Sequence, residues 1–381
     1  MTVDDTDAGD DTEAGDGTNP VDGTDAVNNI DAGDETNEVA DGDDRLAVVV
    51  DQVRTEAVID AVRAEGVYDG DRSVRSYGEG RVAVPVTAPP EDIEVHEVVR
   101  QVGEPRLRDL ADHLRDRGWT DEEIARAPSS WAVLGTVILV DVGDAPRPGE
   151  VGDALLTIHG EADTVLAREG ISGAHREPDV RVLAGEGDTE TVHVEHGTTY
   201  AMDLAEVMFS PGNKAERARM GEVVSPDDRV VDMFAGIGYF TLPMARAGAQ
   251  ISAIERNPAS FQFLLENVRH NGVTDRVQPY RADCRDVLER TGTGTDLTAE
   301  RVVMGYYEAH EYLDSALAAL EPGGVVHMHE ATPEALAFDR PVERLRGAAA
   351  ERGRSVEILD RRRVKGYSEG VAHVVVDARV E

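Results

Sequence analysis

The chain has a single cysteine, Cys284, so no disulfide framework can hold it together from within. It has only two lysines, Lys214 and Lys365; the other 36 of its 38 basic residues are arginine. No apolar run approaches the roughly 20 residues that a membrane-spanning helix needs, and no apolar signal region follows the first residues. A soluble, cytoplasmic protein is the expectation.

Positive charge is scarce as a whole, with 38 Lys and Arg against 76 Asp and Glu and a net charge of −38. Acid excess with almost no lysine suits a halophilic proteome, because guanidinium is more weakly hydrated than ammonium. In molar salt the Debye length is about 3 Å. Net charge then neither recruits nor repels a nucleic acid at a distance, and RNA binding would rest on local arginine clusters. At 381 residues the chain has room for two or more domains whose cores need no covalent staple.

What is present is organised around residues 229–258. Arg229 to Phe234 reads as a short buried strand, followed by the turn Ala235-Gly236-Ile237-Gly238. Tyr239 to Ala247 has helical spacing, and a second strand, Gln250 to Ile254, stops at Glu255. Strand, glycine turn, helix, strand, acid is the opening of a doubly wound nucleotide-binding α/β sheet. Gly236 and Gly238 let a ligand approach the backbone, and Glu255 can accept hydrogen bonds from two ribose hydroxyls. No third glycine follows, and Asp232 puts negative charge beside the loop beginning at Phe234. That favours a cation without phosphate, and S-adenosylmethionine (SAM) fits. A glycine turn in an ordinary α/β sheet would carry the same pair of glycines.

Residues 1–45 form an acidic segment, with sixteen Asp or Glu and no Lys or Arg before Arg45. It has too little apolar surface to order itself. Residues 46–130 read as a small α+β unit: a strand at Leu46 to Val50, a helix at Thr55 to Glu65, a strand at Gly80 to Val86, then mostly helix, with Leu107, Leu110, Leu114, Trp119 and Ile124 on one face. Residues 131–205 read as a sheet-rich domain with strands at Val133 to Val142, Ala154 to His159, Val180 to Ala184, Thr191 to His196 and Thr199 to Asp203. Within it, Val165 to Arg176 carries Arg168 and Arg176 around Gly170 and Gly173, either an RNA-facing loop or a solvated hairpin.

Residues 206–381 hold the nucleotide fold. Ser210-Pro-Gly-Asn is a turn and cap, and Ala215 to Val224 a helix. Lys214, with Ser210, Arg217 and Arg219, could donate to a ligand carboxylate or to RNA phosphate, or serve only as cap and surface charge. Beyond Glu255 come a helix, Pro258 to Asn271, and a strand, Val277 to Arg281, ending at Asp283-Cys284, where an acid and a backbone N–H can meet an adenine ring. Residues 291–297 are a Gly/Thr loop; Val302 to Met304 and Val325 to His329 are further strands, and Ser355 to Asp360 with His373 to Val380 an antiparallel pair. His327 and His329 share one face of a strand, but only His310 and Glu330 are at hand as further ligands, so no metal is expected.

Asp232 to Pro258, joined to Phe209 to Met220, resembles the archaeal tRNA guanine-37 N1-methyltransferases and their paralogues, over roughly residues 46–381. Those methyltransferases carry an asparagine-proline element after the fourth strand; this chain has Met304-Gly305-Tyr306. Together with Ser210 to Lys214, Gly324 to Glu330 and Val364 to His373, this is similar to the wybutosine-pathway aminocarboxypropyltransferases. The resemblance implies a class I SAM-dependent methyltransferase-like, Rossmann-type sheet preceded by small α+β domains. It implies transfer of the 3-amino-3-carboxypropyl group of SAM to C7 of 4-demethylwyosine at position 37 in the anticodon loop of tRNA(Phe), releasing methylthioadenosine, with no membrane or DNA partner. By carry-over, Glu255 would bind the ribose, Asp283 and Cys284 the adenine end, and Ser210 and Arg217 the cofactor or its tail, beside Lys214, Asp232, Phe234, Gly236, Gly238 and Gly305. Gly305 would admit the tricyclic base, stacked on Tyr306 or Tyr307. Tyr306, His329 and Glu330 are the candidate catalytic groups. A guanine-37 N1-methyltransferase and a non-catalytic tRNA-binding protein are the competing readings; a small-molecule methyltransferase would leave residues 46–205 without a purpose.

Overall fold

The computed structural model describes residues 45–100, 106–173, 175–289 and 297–381. The acidic segment up to residue 44 and nearly all of the Gly/Thr loop lie outside the described residues. Two compact units are present, Met1–Arg106 and Leu107–Glu381.

In the first unit, Leu46–Asp51 pairs antiparallel with Arg81–Val86 on one side and Glu97–Arg100 on the other, and Arg75–Ser76 edges the sheet. The β-branched run Val48 to Val50 suits a pleated strand. Val58 and Val62, four apart on the helix Thr55–Ala64, bury against Val48, Val50, Val82 and Val84.

In the second unit, the helices Leu110–Asp116 and Asp121–Ile124 begin at built caps. Asp109 accepts from the Asp112 amide, and Thr120 and Glu123 form a reciprocal capping box. Their apolar face, Leu110, Leu114 and Trp119, shares a core with Ile138, Val151, Leu155 and Val165. These helices therefore pack with the sheet that follows them. That sheet runs Trp131–Leu134, Val137–Val140, Thr164–Ser172, Glu177–Gly185 in spatial order.

The expected strand at Val133 to Val142 is two strands, reversed at Gly135. The expected strand at Ala154 to His159 is instead the end of a helix, Pro148–Ile158. Val151, Ala154 and Leu155 form its buried stripe, and a short apolar run has the same look in either state. This helix is the crossover between the parallel strands Val137–Val140 and Thr164–Ser172. Val165 to Arg176 is a strand and a turn, the first arm of a hairpin with Glu177–Gly185.

The C-terminal sheet has seven strands: β1 (Arg229–Asp232), β2 (Gln250–Glu255), β3 (Val277–Arg281), β4 (Ala299–Met304), β5 (Leu320–Pro333), β6 (Val356–Ser368) and β7 (Val371–Val380). Their order is β3-β2-β1-β4-β5-β7-β6, parallel through β5, with β7 antiparallel between β5 and β6. This is a doubly wound, Rossmann-type α/β sheet. Alternate residues feed two cores. Val230 and Ile251 face one, Val231 and Ile254 the other. The first core continues into Leu134, Leu166, Met202 and Phe209, so the preceding sheet and the hairpin Glu190–Asp203 are fused to the nucleotide fold by a shared apolar interior. Helices α2 (Thr241–Arg246), α3 (Pro258–His270) and α4 (Cys284–Leu288) follow the carboxyl ends of β1, β2 and β3, and α1 (Lys214–Val223), before β1, packs on α2.

Candidate functional site

A pocket opens where the parallel strands end. The segment after β1 supplies Met233, Phe234 and Gly236; the tip of β2 supplies Glu255; the end of β3 supplies Asp283 and Cys284; the end of β4 supplies Gly305, Tyr306 and Tyr307. Ser210 comes from the approach to α1, Arg217 from α1 itself, Arg176 from the hairpin turn, and His329 and His373 from β5 and β7.

Gly236 has φ +56°, and a Cβ there would stand 2.3 Å from the Tyr239 ring. Only glycine fits. Its amide donates to Glu255 Oε2 at 2.8 Å, and the Asn257 amide donates to Oε1 at 2.6 Å. Two backbone donors thus fix the carboxylate at the strand tip, while burial raises its pKa. Asn257 caps α3 through the Ala259 amide and reaches the His175 carbonyl at 3.3 Å, tying the hairpin turn to the pocket wall.

Asp283 caps α4 and pairs with Arg285 at 2.8 Å and Arg256 at 3.7 Å, which holds its carboxyl below the usual range. Burial pushes the Cys284 thiol up to about 12, so it stays protonated and is no nucleophile. Phe234 stands 5.2 Å from the Tyr306 ring and 5.0 Å from Tyr312, an aromatic wall facing the acids. At Gly305 a Cβ would meet the Phe240 ring at 2.7 Å, so the fourth strand leaves the sheet with bare backbone toward the pocket.

Several sequence candidates have other tasks. Asp232 is fully buried and does not line the pocket; it accepts from Thr241 Oγ1 at 2.7 Å and from the Phe234 amide at 3.4 Å, bracing the loop from behind. Burial pushes its carboxyl up to about 6. Gly238 packs against Leu242, also outside the lining. Lys214 is exposed at the start of α1 and does not line the pocket. Arg217 lines it, but its guanidinium is bound to buried Glu195 at 2.7 and 2.9 Å, to the Ser210 carbonyl at 2.9 Å, and to the face of Phe209. Against its burial, hydrogen bonds from His193 and Arg217 hold the Glu195 carboxyl down at about 2. Glu330 is outside the lining, gripped by Arg340 at 2.9 Å and Arg344 at 2.6 Å.

The histidines of β5 separate in role. His327 Nδ1 bonds Asp377 at 2.7 Å and is structural. His329 lines the pocket, its Nδ1 3.0 Å from His373 Nε2, with His329 Nε2 and His373 Nδ1 left unpartnered. Burial pushes His329 down to about 3 and His373 down to about 2, so both rings are neutral. Among the described residues, no group of three or more His, Cys, Asp or Glu is placed to hold a metal ion. None of their helices is long and apolar enough to cross a membrane.

Sequence reasoning gave no pocket role to His373, Tyr312 or Arg176, which line the pocket, and none to Lys365, which reaches the lining residue Ser210 from the neighbouring groove. The rarity of lysine was the usable signal. It selected Lys214, yet the lysine whose Nζ donates to Ser210 Oγ is Lys365, 155 residues further on.

The family model "TRM5/TYW2 methyltransferase domain" matches residues 191–359, and "TYW2 N-terminal domain" matches residues 110–189. The tRNA(Phe) (4-demethylwyosine(37)-C(7)) aminocarboxypropyltransferase of Pyrococcus horikoshii is 39% identical over 280 residues, 72% of this chain and 96% of its own. The crystal structure of P. horikoshii TYW2 in complex with MeSAdo superposes with a TM-score of 0.61 at 36% identity, over 71% of this chain and 97% of that one. A complex structure of aTrm5 and tRNALeu gives a TM-score of 0.69 at 26% identity, over 88% and 100%.

Proposed function

The chain belongs to the TRM5/TYW2 family, and from that premise we propose that it transfers the 3-amino-3-carboxypropyl group of SAM to C7 of 4-demethylwyosine at position 37 of tRNA(Phe). The observation that carries this reading is the relative of that name, matched over 96% of its length. The pocket supports it. Glycine backbone at 236 and 305, the strand-tip acid Glu255 and the aromatic wall of Phe234, Tyr306 and Tyr312 suit a ribose, an adenine and a sulfonium, and no phosphate-binding lysine lines the site.

SAM supplies an electrophilic methylene carbon beside a positively charged sulfur. The bond that forms joins that carbon to C7; the bond that breaks is carbon to sulfur, whose electron pair leaves with neutral methylthioadenosine. The C7 proton must then go to a base. Holding C7, carbon and sulfur in line is the chief task of the protein, and such positioning is worth up to about 7–11 kcal/mol. Glu255 holds the ribose, Asp283 and the Cys284 amide the adenine end, and Phe234 packs beside them. Gly236 and Gly305 give room. Arg217 acts indirectly, by fixing the Ser210 carbonyl.

Of the three candidate catalytic groups, His329 is the one suited to take the proton. The Tyr306 hydroxyl is committed to Glu308 at 2.8 Å, and Glu330 lies outside the lining. In the tautomer that donates its Nδ1–H to His373, His329 leaves Nε2 as an unpartnered lone pair buried in the pocket wall. The intermediate formed at C7 is a strongly acidic cation, so a weak neutral base suffices. Tyr307 flanks the target base. It lines the pocket and also the groove next to it, whereas Tyr306 packs inward on Phe234.

The test uses tRNA(Phe) bearing 4-demethylwyosine and SAM labelled either in the carboxyl carbon or in the methyl group. Carboxyl label should enter the tRNA and methyl label should leave as methylthioadenosine. The reverse pattern would make the protein a methyltransferase; no consumption of SAM with any tRNA would make it a binding protein.

A further inference from the structure

Next to the pocket, and sharing Arg176, Met208, Ser210 and Tyr307 with it, a groove runs between the hairpin Thr164–Gly185 and β6. Its walls carry three cations, Arg168, Arg176 and Lys365, and the aromatic rings Trp131, Tyr307 and Tyr367. Acids outnumber bases two to one in this chain, 76 to 38. Yet none of these three cations has a carboxylate partner among the described residues. Arg168 is exposed and bonds nothing described; Arg176 reaches Met208 Sδ at 3.6 Å and lies 5.1 Å over the Tyr307 ring; Lys365 donates to Ser210 Oγ. Asp141 is the one acid in the lining.

The three charges also crowd one another. Burial first, then Arg168, Arg217 and Arg176, lower the Lys365 pKa to about 8. An anion in the groove would relieve that repulsion, and among the described residues no carboxylate pairs with any of the three. Tyr367 is half exposed, an open ring face. Unpaired guanidinium and ammonium groups alternating with aromatic faces form the surface that single-stranded nucleic acid fits, phosphate to cation and base to ring.

We propose that this groove holds the single-stranded sugar–phosphate next to the target nucleotide, with Arg168, Arg176 and Lys365 on phosphate oxygens and Tyr367 under a neighbouring base. The proposal rests on the functional reading above only in taking an RNA base as the occupant of the adjacent pocket. A chain that enters along the groove passes Tyr307, whose ring stands 4.6 Å from Tyr367 and 4.8 Å from His373, so the base beyond it reaches the pocket floor.

The experiment measures binding of unmodified tRNA(Phe) to the full chain across a salt series. The exposed Arg168 side chain makes no hydrogen bond or ion pair with a described residue, so Arg168→Ala tests charge with little disturbance of the fold. Affinity should fall roughly tenfold, and the slope of log affinity against log salt should shrink by about 0.7, one single-strand phosphate contact. Tyr367→Ala should weaken binding roughly tenfold with the salt slope unchanged, because stacking is not ionic. SAM affinity should be unaffected by either. If Arg168→Ala and Arg168→Glu both bind tRNA as the parent does, with the same salt slope, the groove carries no RNA and the proposal is overturned. Failure of the wild-type chain to transfer label to tRNA, with these binding effects intact, would instead remove the functional reading and leave the groove.

Discussion

His329 Nδ1 lies 3.0 Å from Nε2 of His373, joining β5 to β7 beneath the pocket, and the outer nitrogen of each ring has no partner. Each neutral ring already carries one N–H, and burial opposes the second proton that would charge it. Two neutral rings carry two N–H protons, one between the rings and one on an outer nitrogen; in the tautomer that donates His329 Nδ1–H to His373, the remaining lone pair is on His329 Nε2, the disposition a proton acceptor needs.

His329→Gln should lower the rate of transfer to tRNA by roughly a hundredfold, the ordinary contribution of a general base, while SAM affinity stays near that of the parent. Single-turnover transfer and calorimetric SAM binding separate the two. The same residue has a stability signature. Its folded pKa, about 3, lies below the usual histidine value of 6.5. Between those values the unfolded chain binds the extra proton, so its contribution to stability is present above pH 6.5 and lost as pH falls, by about 1.4 kcal/mol per pH unit. Asp232, raised to about 6, works in the opposite sense, gaining stability as pH falls through that value. The difference between parent and His329→Gln isolates the histidine: the parent should lose stability faster between pH 6.5 and about 4. Parallel curves would show that the ring is not buried as described.

Arg217 was read from the sequence as a ligand donor, and the structure makes it a buried ion pair. Arg217 is 2% exposed and Glu195 4%. Arg217→Ala would strand a buried carboxylate and should destabilise by about 3–5 kcal/mol, seen as a fall in denaturation midpoint. Arg217→Lys should recover little, since an ammonium cannot make the two-point contact. Removing both charges, as Arg217→Met with Glu195→Leu, should restore most of the loss. A variant that keeps its stability but loses SAM binding would return Arg217 to the role of ligand.

Gly305→Ala tests whether the fourth strand needs bare backbone. The new methyl would stand 2.7 Å from the Phe240 ring, which is itself 5.1 Å from His329. The ring must move toward the histidine pair, at a cost of about 1–3 kcal/mol for an overfilled core. The expected outcome is a lower melting temperature together with weaker SAM binding, and Phe240→Leu in the same chain should relieve both. Unchanged melting and binding would show that the pocket has slack there.

The parts legible in the sequence were the local ones. Strand, Gly236 turn, helix and Glu255 follow one another within 27 residues, and each step has its own residue chemistry. Ala154 to His159 was misread because three apolar residues in a row satisfy a strand and a helix stripe alike, and only contact with Leu183 and Val165 decides. Long-range pairing was out of reach. Nothing in Arg217 announces Glu195, which precedes it by 22 residues on a separate hairpin. His373 stood inside a quoted motif without a role, because its meaning comes from β7 running antiparallel beside β5.

Lys365 provides the sharpest pH test. Its amine is held to about 8 by burial and by the arginines facing it, Arg168 from the hairpin strand, Arg217 from α1 and Arg176 from the hairpin turn; Ser210, His373, Tyr307 and Tyr367 are also near it. The group is charged below that value and neutral above it. If the ammonium holds RNA phosphate, affinity for tRNA must fall as pH rises through about 8, where an ordinary lysine, near 10.4, would still be charged. His373 is already neutral there, because burial depresses its pKa. Lys365→Arg should flatten the profile between pH 7 and about 9, and Lys365→Met should give the flat profile at uniformly lower affinity. A parent protein whose tRNA affinity is constant across that range, at fixed ionic strength, would show that Lys365 bears no phosphate and serves Ser210 alone.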